Sequence, residues 1–127
     1  MSGLRTDRVR AIGVYKSRTG LTPDQIKARA PAIFELIKNI PIVQQNLLKY
    51  ELSFKVERLP KTLADDLGLQ ETELDTLILV EGASHEKIRE ALTSPEYRQV
   101  LARSLEHATT REDFHFFSGE FLTVIDN

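Results

Sequence analysis

Leu47-Leu-Lys-Tyr-Glu-Leu-Ser-Phe-Lys-Val-Glu-Arg58 is the stretch in which the hydrophobic period of this chain becomes two. Leu48, Tyr50, Leu52, Phe54 and Val56 alternate with Leu47, Lys49, Glu51, Ser53, Lys55 and Glu57. Neighbouring side chains of a strand point to opposite faces, so this is a strand with one apolar and one mostly polar face, ended by Pro60. Upstream the period is helical. Thr22 can cap a helix, Pro23 suits its first turn and Gln25 completes a capping box. Ile26, Ala30, Ile33 and Ile37 follow at helical spacing, with Phe34 beside them. Pro31 removes a backbone hydrogen bond and crowds the preceding turn, which predicts a kink or break near residues 28–30. Pro41 stops the helix and leaves Ile40 extended. Further upstream, Arg8–Ser17 carries Val9, Ala11 and Gly13 on one parity and Ile12 and Val14 on the other. A short strand partly covered on both faces fits, with Arg18-Thr-Gly20 as its turn.

Downstream, Thr62–Leu67 reads as a short helix closed by Gly68, and Leu77–Val80 as a strand buried on both faces. Ser84 caps a helix striped by Ile88, Ala91 and Leu92; Ser94-Pro-Glu-Tyr97 restarts helix, continued by Val100, Leu101, Leu105 and Ala108. Thr109–Asp113 reads as a polar connector, and Phe114–Ile125 as a last strand with a bulge or bend at Gly119. The order is strand, helix, strand, strand, helix, strand, with an extra short helix before the third strand. That predicts an α+β chain of ferredoxin-like βαββαβ type, with a four-stranded antiparallel sheet. Right-handed crossovers put both helices on one sheet face. The strands carry apolar residues on both parities, so the second face also needs cover, and a second copy of the chain is the simplest provider. Residues 1–127 are expected to form one domain.

Composition narrows the function. A net charge of −2 argues against a nucleic-acid binder that works through bulk positive charge. The third strand also lacks the basic and aromatic residues of an RNA-recognition sheet. Absence of cysteine excludes disulfides, thiolate catalysis, Cys-ligated zinc and iron–sulfur clusters. No G-x-G-x-x-G, Walker A loop, G-x-S-x-G elbow or H-E-x-x-H occurs, so no cofactor is expected. No apolar run approaches a membrane span and Met1–Arg10 has no apolar signal core, which predicts a cytoplasmic protein without membrane partners.

Three segments resemble the EthD-domain group of the dimeric α/β barrel proteins. Ile12-Gly-Val-Tyr-Lys-Ser-Arg-Thr-Gly-Leu-Thr-Pro-Asp-Gln25 is similar to the group's first strand, basic loop and helix start. Asn46–Phe54 resembles its second strand. Ser94-Pro-Glu-Tyr97, with Asp113-Phe-His-Phe-Phe117 and Glu120–Ile125, resembles its last helix and strand. The resemblance implies a homodimer joined sheet to sheet and, in each subunit, a ligand cleft between sheet and helices. It also implies chemistry of the kind found in cofactor-free monooxygenases, decarboxylases and cyclases of aromatic or polyketide intermediates in secondary metabolism. Where the group often has a histidine in its first helix, this chain has Arg29-Ala-Pro-Ala32.

Histidine is the usual base near neutral pH, so His85 and His115 are the candidate proton carriers, with Asp113 placed to orient His115. Burial between aromatic residues is the plainer reading of His115, and a surface position that of His85. His107 reads as solvated, and no two histidines have metal-ligand spacing, so no metal site is expected. Tyr15, Tyr50 and Tyr97 can hold a phenolic or carbonyl oxygen, and Phe34, Phe54 and the cluster Phe114, Phe116, Phe117 and Phe121 can wall a flat apolar ligand; core packing is the plainer use of each. Lys16, Arg18 and Gly20 can hold an anion or be a solvated loop. The leading expectation is a cofactor-independent enzyme acting on an apolar aromatic or polyketide-derived molecule. The alternative is a non-catalytic ligand-binding or stress-associated dimer.

Overall fold

A computed structural model describes residues 3–17, 22–56 and 62–127, with side chains at 17, 23 and 103–113 left out of the description. The elements are β1 (Val9–Ser17), α1 (Pro23–Lys38), α2 (Pro41–Asn46), β2 (Leu47–Phe54), α3 (Leu63–Leu67), β3 (Thr76–Gly82), α4 (His85–Leu92), α5 (Pro95–Ala108) and β4 (Thr109–Gly119). The sheet has the order β2-β3-β1-β4, and every neighbouring pair is antiparallel. This is the ferredoxin-like arrangement that the order of periods predicts.

The register sorts the sheet into two faces. Toward the helices lie the rows Tyr50–Val80–Ala11–Ser118, Leu52–Ile78–Gly13–Phe116 and Phe54–Thr76–Tyr15–Phe114. Ile88 of α4 packs on Ala11, Ile78 and Val80, and a second cluster joins Ile37, Ile40, Val43, Ala91 and Tyr97. The opposite face carries Glu51–Leu79–Ile12–Phe117, Ser53–Leu77–Val14–His115 and Lys49–Glu81–Arg10–Gly119. Phe117 there is 67% exposed. Among the described residues, the two end segments cover one corner of this face: Leu4 bridges to Leu122, and the Phe121 ring lies 3.7 Å from the Arg10 guanidinium. Beneath it, Glu81 is buried, accepting from Arg8 at 2.9 Å and from Arg10 at 2.6 and 3.0 Å.

Several elements differ from the expectation. α1 runs through Pro31 without a break. The complete Thr22–Gln25 capping box anchors one end, Ile26 and Ile37 are buried on either side of the proline, and Pro31 itself is exposed. Those anchors offset the one lost hydrogen bond. Ile40 is extended as expected, but Pro41 then opens α2, an unforeseen helix with proline in its first turn. β2 stops at Phe54; the Pro60 and Arg18–Gly20 readings lie outside the described residues. The last strand is shifted: residues 109–113 belong to β4, and residues 120–125 leave the sheet. The cause is the partner strand. β1 starts at Val9, its last pair with β4 is Arg10–Gly119, and Gly119 ends the strand instead of bulging. The register shifts instead between Tyr15 and Ser17, where residues 110–113 oppose Lys16, and between Leu47 and Lys49, where one extra residue is inserted.

Candidate functional site: a groove between α1 and the sheet

α1 makes its main contacts with α5 and α2, whereas α4 lies on the strands. The Ile37 end of α1 joins a core cluster with Leu47 and Tyr50 of β2, and beside its earlier turns a groove of about 490 Å³ is left between helix and strand. Ala30, Pro31 and Phe34 of α1 form one wall, Leu52 and Phe54 of β2 the other, with Lys27 and Glu35 alongside. Phe34 also borders a second hollow of about 190 Å³ that reaches Val43 and Tyr50. The apolar face of β2 read from the sequence thus supplies the inner wall, and the helical stripe of α1 the outer one.

Tyr50, which lines this second hollow and not the groove itself, meets another phenol. The hydroxyls of Tyr50 and Tyr97 are 2.9 Å apart, and their rings cross edge to face with centroids 6.3 Å apart. Local chemistry places Tyr97: the buried Ser94 hydroxyl donates to the Ala91 carbonyl at 2.8 Å and accepts from the Tyr97 N–H at 3.3 Å. Burial pushes the Tyr97 phenol up to about 12 and that of Tyr50 higher still, with Tyr97 beside it adding to the rise. Burial also raises Tyr15. All three stay neutral near pH 7 and act as hydrogen-bond donors, not bases.

Tyr15 begins an aromatic stack across the same sheet face. Its ring lies 4.9 Å from Phe114, which lies 5.0 Å from Phe116. Gly13 makes this possible, since a Cβ there would come within 2.8 Å of Phe116 Cζ. The missing side chain lets the rings lie flat on β1.

No family model matches the sequence, and no curated protein matches it. Solved structures do. A dimeric protein of unknown function and ferredoxin-like fold from Bacteroides fragilis superposes with a TM-score of 0.64 at 14% identity, covering 94% of this chain and 100% of its own. An EthD family protein from Bacillus halodurans gives 0.59 at 14% identity, covering 90% and 98%. The chain has an EthD-like fold. SnoaB, a cofactor-independent oxygenase from Streptomyces nogalater, gives 0.53 at 11% identity over 94% and 96% of the two chains.

Within this EthD-like fold the expected site residues divide. Tyr50, Phe34 and Phe54 come together around the groove. Tyr15 shares a register row with Phe54, and Phe116 lies farther along the same face, half exposed. His115 does not join them. It pairs with Val14 on the opposite face and is exposed, so it is not a buried histidine, and within one subunit the sheet separates it from every tyrosine named above. His85 is the exposed first residue of α4, and the side chains of Asp113 and His107 lie outside the described residues. Lys16 forms an ion pair with Glu73 at 3.7 Å, and its loop partners Arg18 and Gly20 lie outside the described residues. Among the described residues, no group of three His, Asp or Glu side chains gathers as a metal site, and no helix is long and apolar enough to cross a membrane. Leu52 and Pro31 were missed as site residues, and Tyr97, a candidate oxygen-holding phenol, sits buried behind Tyr50. Leu52 shares parity with Tyr50 and Phe54 in the period-two stretch, so that signal was present; the pairing of Tyr97 with Tyr50 has no local signal.

Proposed function

We propose that the chain binds an apolar, oxygen-bearing aromatic or polyketide-like small molecule in the α1–sheet groove, and works as a pair of subunits joined through the uncovered sheet face. The groove beside Tyr50 is the observation that carries this reading. Its walls are Phe34, Leu52, Phe54, Ala30 and Pro31, which suit a flat apolar body, and the neutral phenol of Tyr50 lines the adjoining hollow across Phe34, where it suits an oxygen atom. The dimeric ferredoxin-like neighbour and the exposed Phe117 support the pairing.

Catalysis is the finer part of the proposal. SnoaB, a cofactor-independent oxygenase, has the same fold. In this chain the phenols can polarise a substrate oxygen, but His115 faces the other side of the sheet. A proton transfer by His115, with Asp113 or not, would therefore take place between the two sheets of the pair. His85 would serve only a ligand that reaches the α4 start. The groove geometry itself favours ligand binding over proton transfer. Exchange of His115 for alanine separates the two readings. Under the binding reading, groove affinity for a naphthalene ketone stays within twofold by fluorescence titration. A loss of tenfold or more would place His115 in the ligand site and overturn the assignment of the groove.

A further inference from the structure

Two hydroxyls sharing one hydrogen bond hold two protons and use only one. The donor of the Tyr50–Tyr97 bond has spent its proton, and the acceptor still has one to give. Burial decides which is which. Tyr97 is 2% exposed and packs with Ile37, Ile40, Val43 and Ala91, so an O–H turned away from Tyr50 would be stranded among hydrocarbon side chains. Tyr50, although burial desolvates its phenol, is the less buried residue of the two and lines the hollow next to the groove, so its O–H is the one with an open neighbour.

We propose that Tyr97 is a positioning residue: it donates to Tyr50 Oη and so turns the Tyr50 O–H toward the groove, making the site select ligands that present an acceptor oxygen, a carbonyl or carboxylate, over ligands that lack one. The inference rests on the groove reading above. Selectivity arises because a hydrocarbon ligand would cover the Tyr50 O–H and leave it without a partner. Tyr97 adds to the effect in two ways. It removes the alternative in which Tyr50 points inward, and a hydroxyl that accepts a hydrogen bond is a stronger donor of its own. The helix start Ser94-Pro-Glu-Tyr97 thereby gains a purpose beyond starting α5. Ser94 fixes the first turn and Tyr97 fixes the proton of a residue on β2.

The test uses the full chain with 2-acetylnaphthalene and 2-ethylnaphthalene, which are close in size and differ in the carbonyl oxygen. The wild type is expected to prefer the ketone by tenfold or more. Tyr97→Phe is expected to cut the preference to threefold or less while ethylnaphthalene affinity stays within twofold, and Tyr50→Phe to abolish it. The infrared carbonyl stretch of the bound ketone is expected at lower wavenumber in the wild type than in Tyr50→Phe, with Tyr97→Phe between them. Equal weakening of both probes by Tyr97→Phe would reduce Tyr97 to packing and overturn the inference. Equal affinity of the wild type for both probes would overturn it too, yet leave the groove reading standing. Binding of neither probe would remove the groove reading and the inference with it.

Discussion

Replacing Glu81 with glutamine tests whether a buried carboxylate locks β1 to β3 on the uncovered sheet face. Glutamine keeps the shape and removes the charge. The carboxylate is 2% exposed and accepts from Arg8 at 2.9 Å and from Arg10 at 2.6 and 3.0 Å. Breaking a fully buried pair costs about 3–5 kcal/mol, and an exposed pair only about 0.2–1 kcal/mol. The Arg8 and Arg10 side chains are 26% and 28% exposed, so each retains some water after the change. An intermediate loss of about 2–3 kcal/mol follows. At this chain length each kcal/mol moves the melting temperature by about 3–5 °C, so the expected drop is about 6–15 °C at neutral pH.

The pH dependence makes the experiment decisive. Burial alone would raise the Glu81 carboxyl, but the hydrogen bonds from Arg8 and Arg10 outweigh it and hold the group below its ordinary value of 4.5. A folded-state value below the unfolded one means that the contribution is fully present above the unfolded value. It disappears as the pH falls through the folded value. The gap between wild type and Glu81→Gln should therefore be constant from about pH 6 to 8 and close in acid below about pH 4. Thermal and urea unfolding at one fixed protein concentration measure it, since association would shift both curves. A gap below 0.5 kcal/mol at pH 7, or one that does not narrow in acid, would show that the arginines gain nothing from the carboxylate.

Exchange of Gly82 for alanine should cost about 1–3 kcal/mol by overpacking. The added Cβ would come within 2.8 Å of Ile88 Cγ1 and 3.3 Å of the Asn46 carbonyl oxygen, and urea unfolding is the check. Light scattering at micromolar concentration should give twice the 14.5 kDa chain mass for the wild type and the single-chain mass for Phe117→Lys, which places an ammonium on the β4 side of the uncovered face. A 14.5 kDa wild-type particle would remove the proposed pairing.

Much of the groove was legible because it depends on local patterns. The period-two stretch supplies Tyr50, Leu52 and Phe54 on one face, and the stripe of α1 supplies Ala30 and Phe34. Pro31 misled the reading because its local cost is real but small beside the cap and the buried Ile26 and Ile37 that hold α1 together. The last strand was displaced because its limits are set by where β1 offers partners, not by its own residues. His115 stands in the sequence as an imidazole among aromatic residues, which makes it a candidate. Its parity, one off from Phe114 and Phe116, carried the contrary information, because adjacent residues of a strand face opposite ways.

The sequence by itself determined the kinds and order of the elements, since hydrophobic period, caps and proline act over a few residues and leave their mark in the chain. It also determined that a single sheet would have two apolar faces and helices for only one. The tertiary structure alone decided which groups meet. Tyr50 and Tyr97 are 47 residues apart, and Arg10 and Glu81 are 71 apart. Their contacts come from strand order and from how α1 and α5 seat, and no local pattern records either. The groove likewise depends on where α1 seats among α2, α5 and β2, which its own stripe of apolar residues does not record.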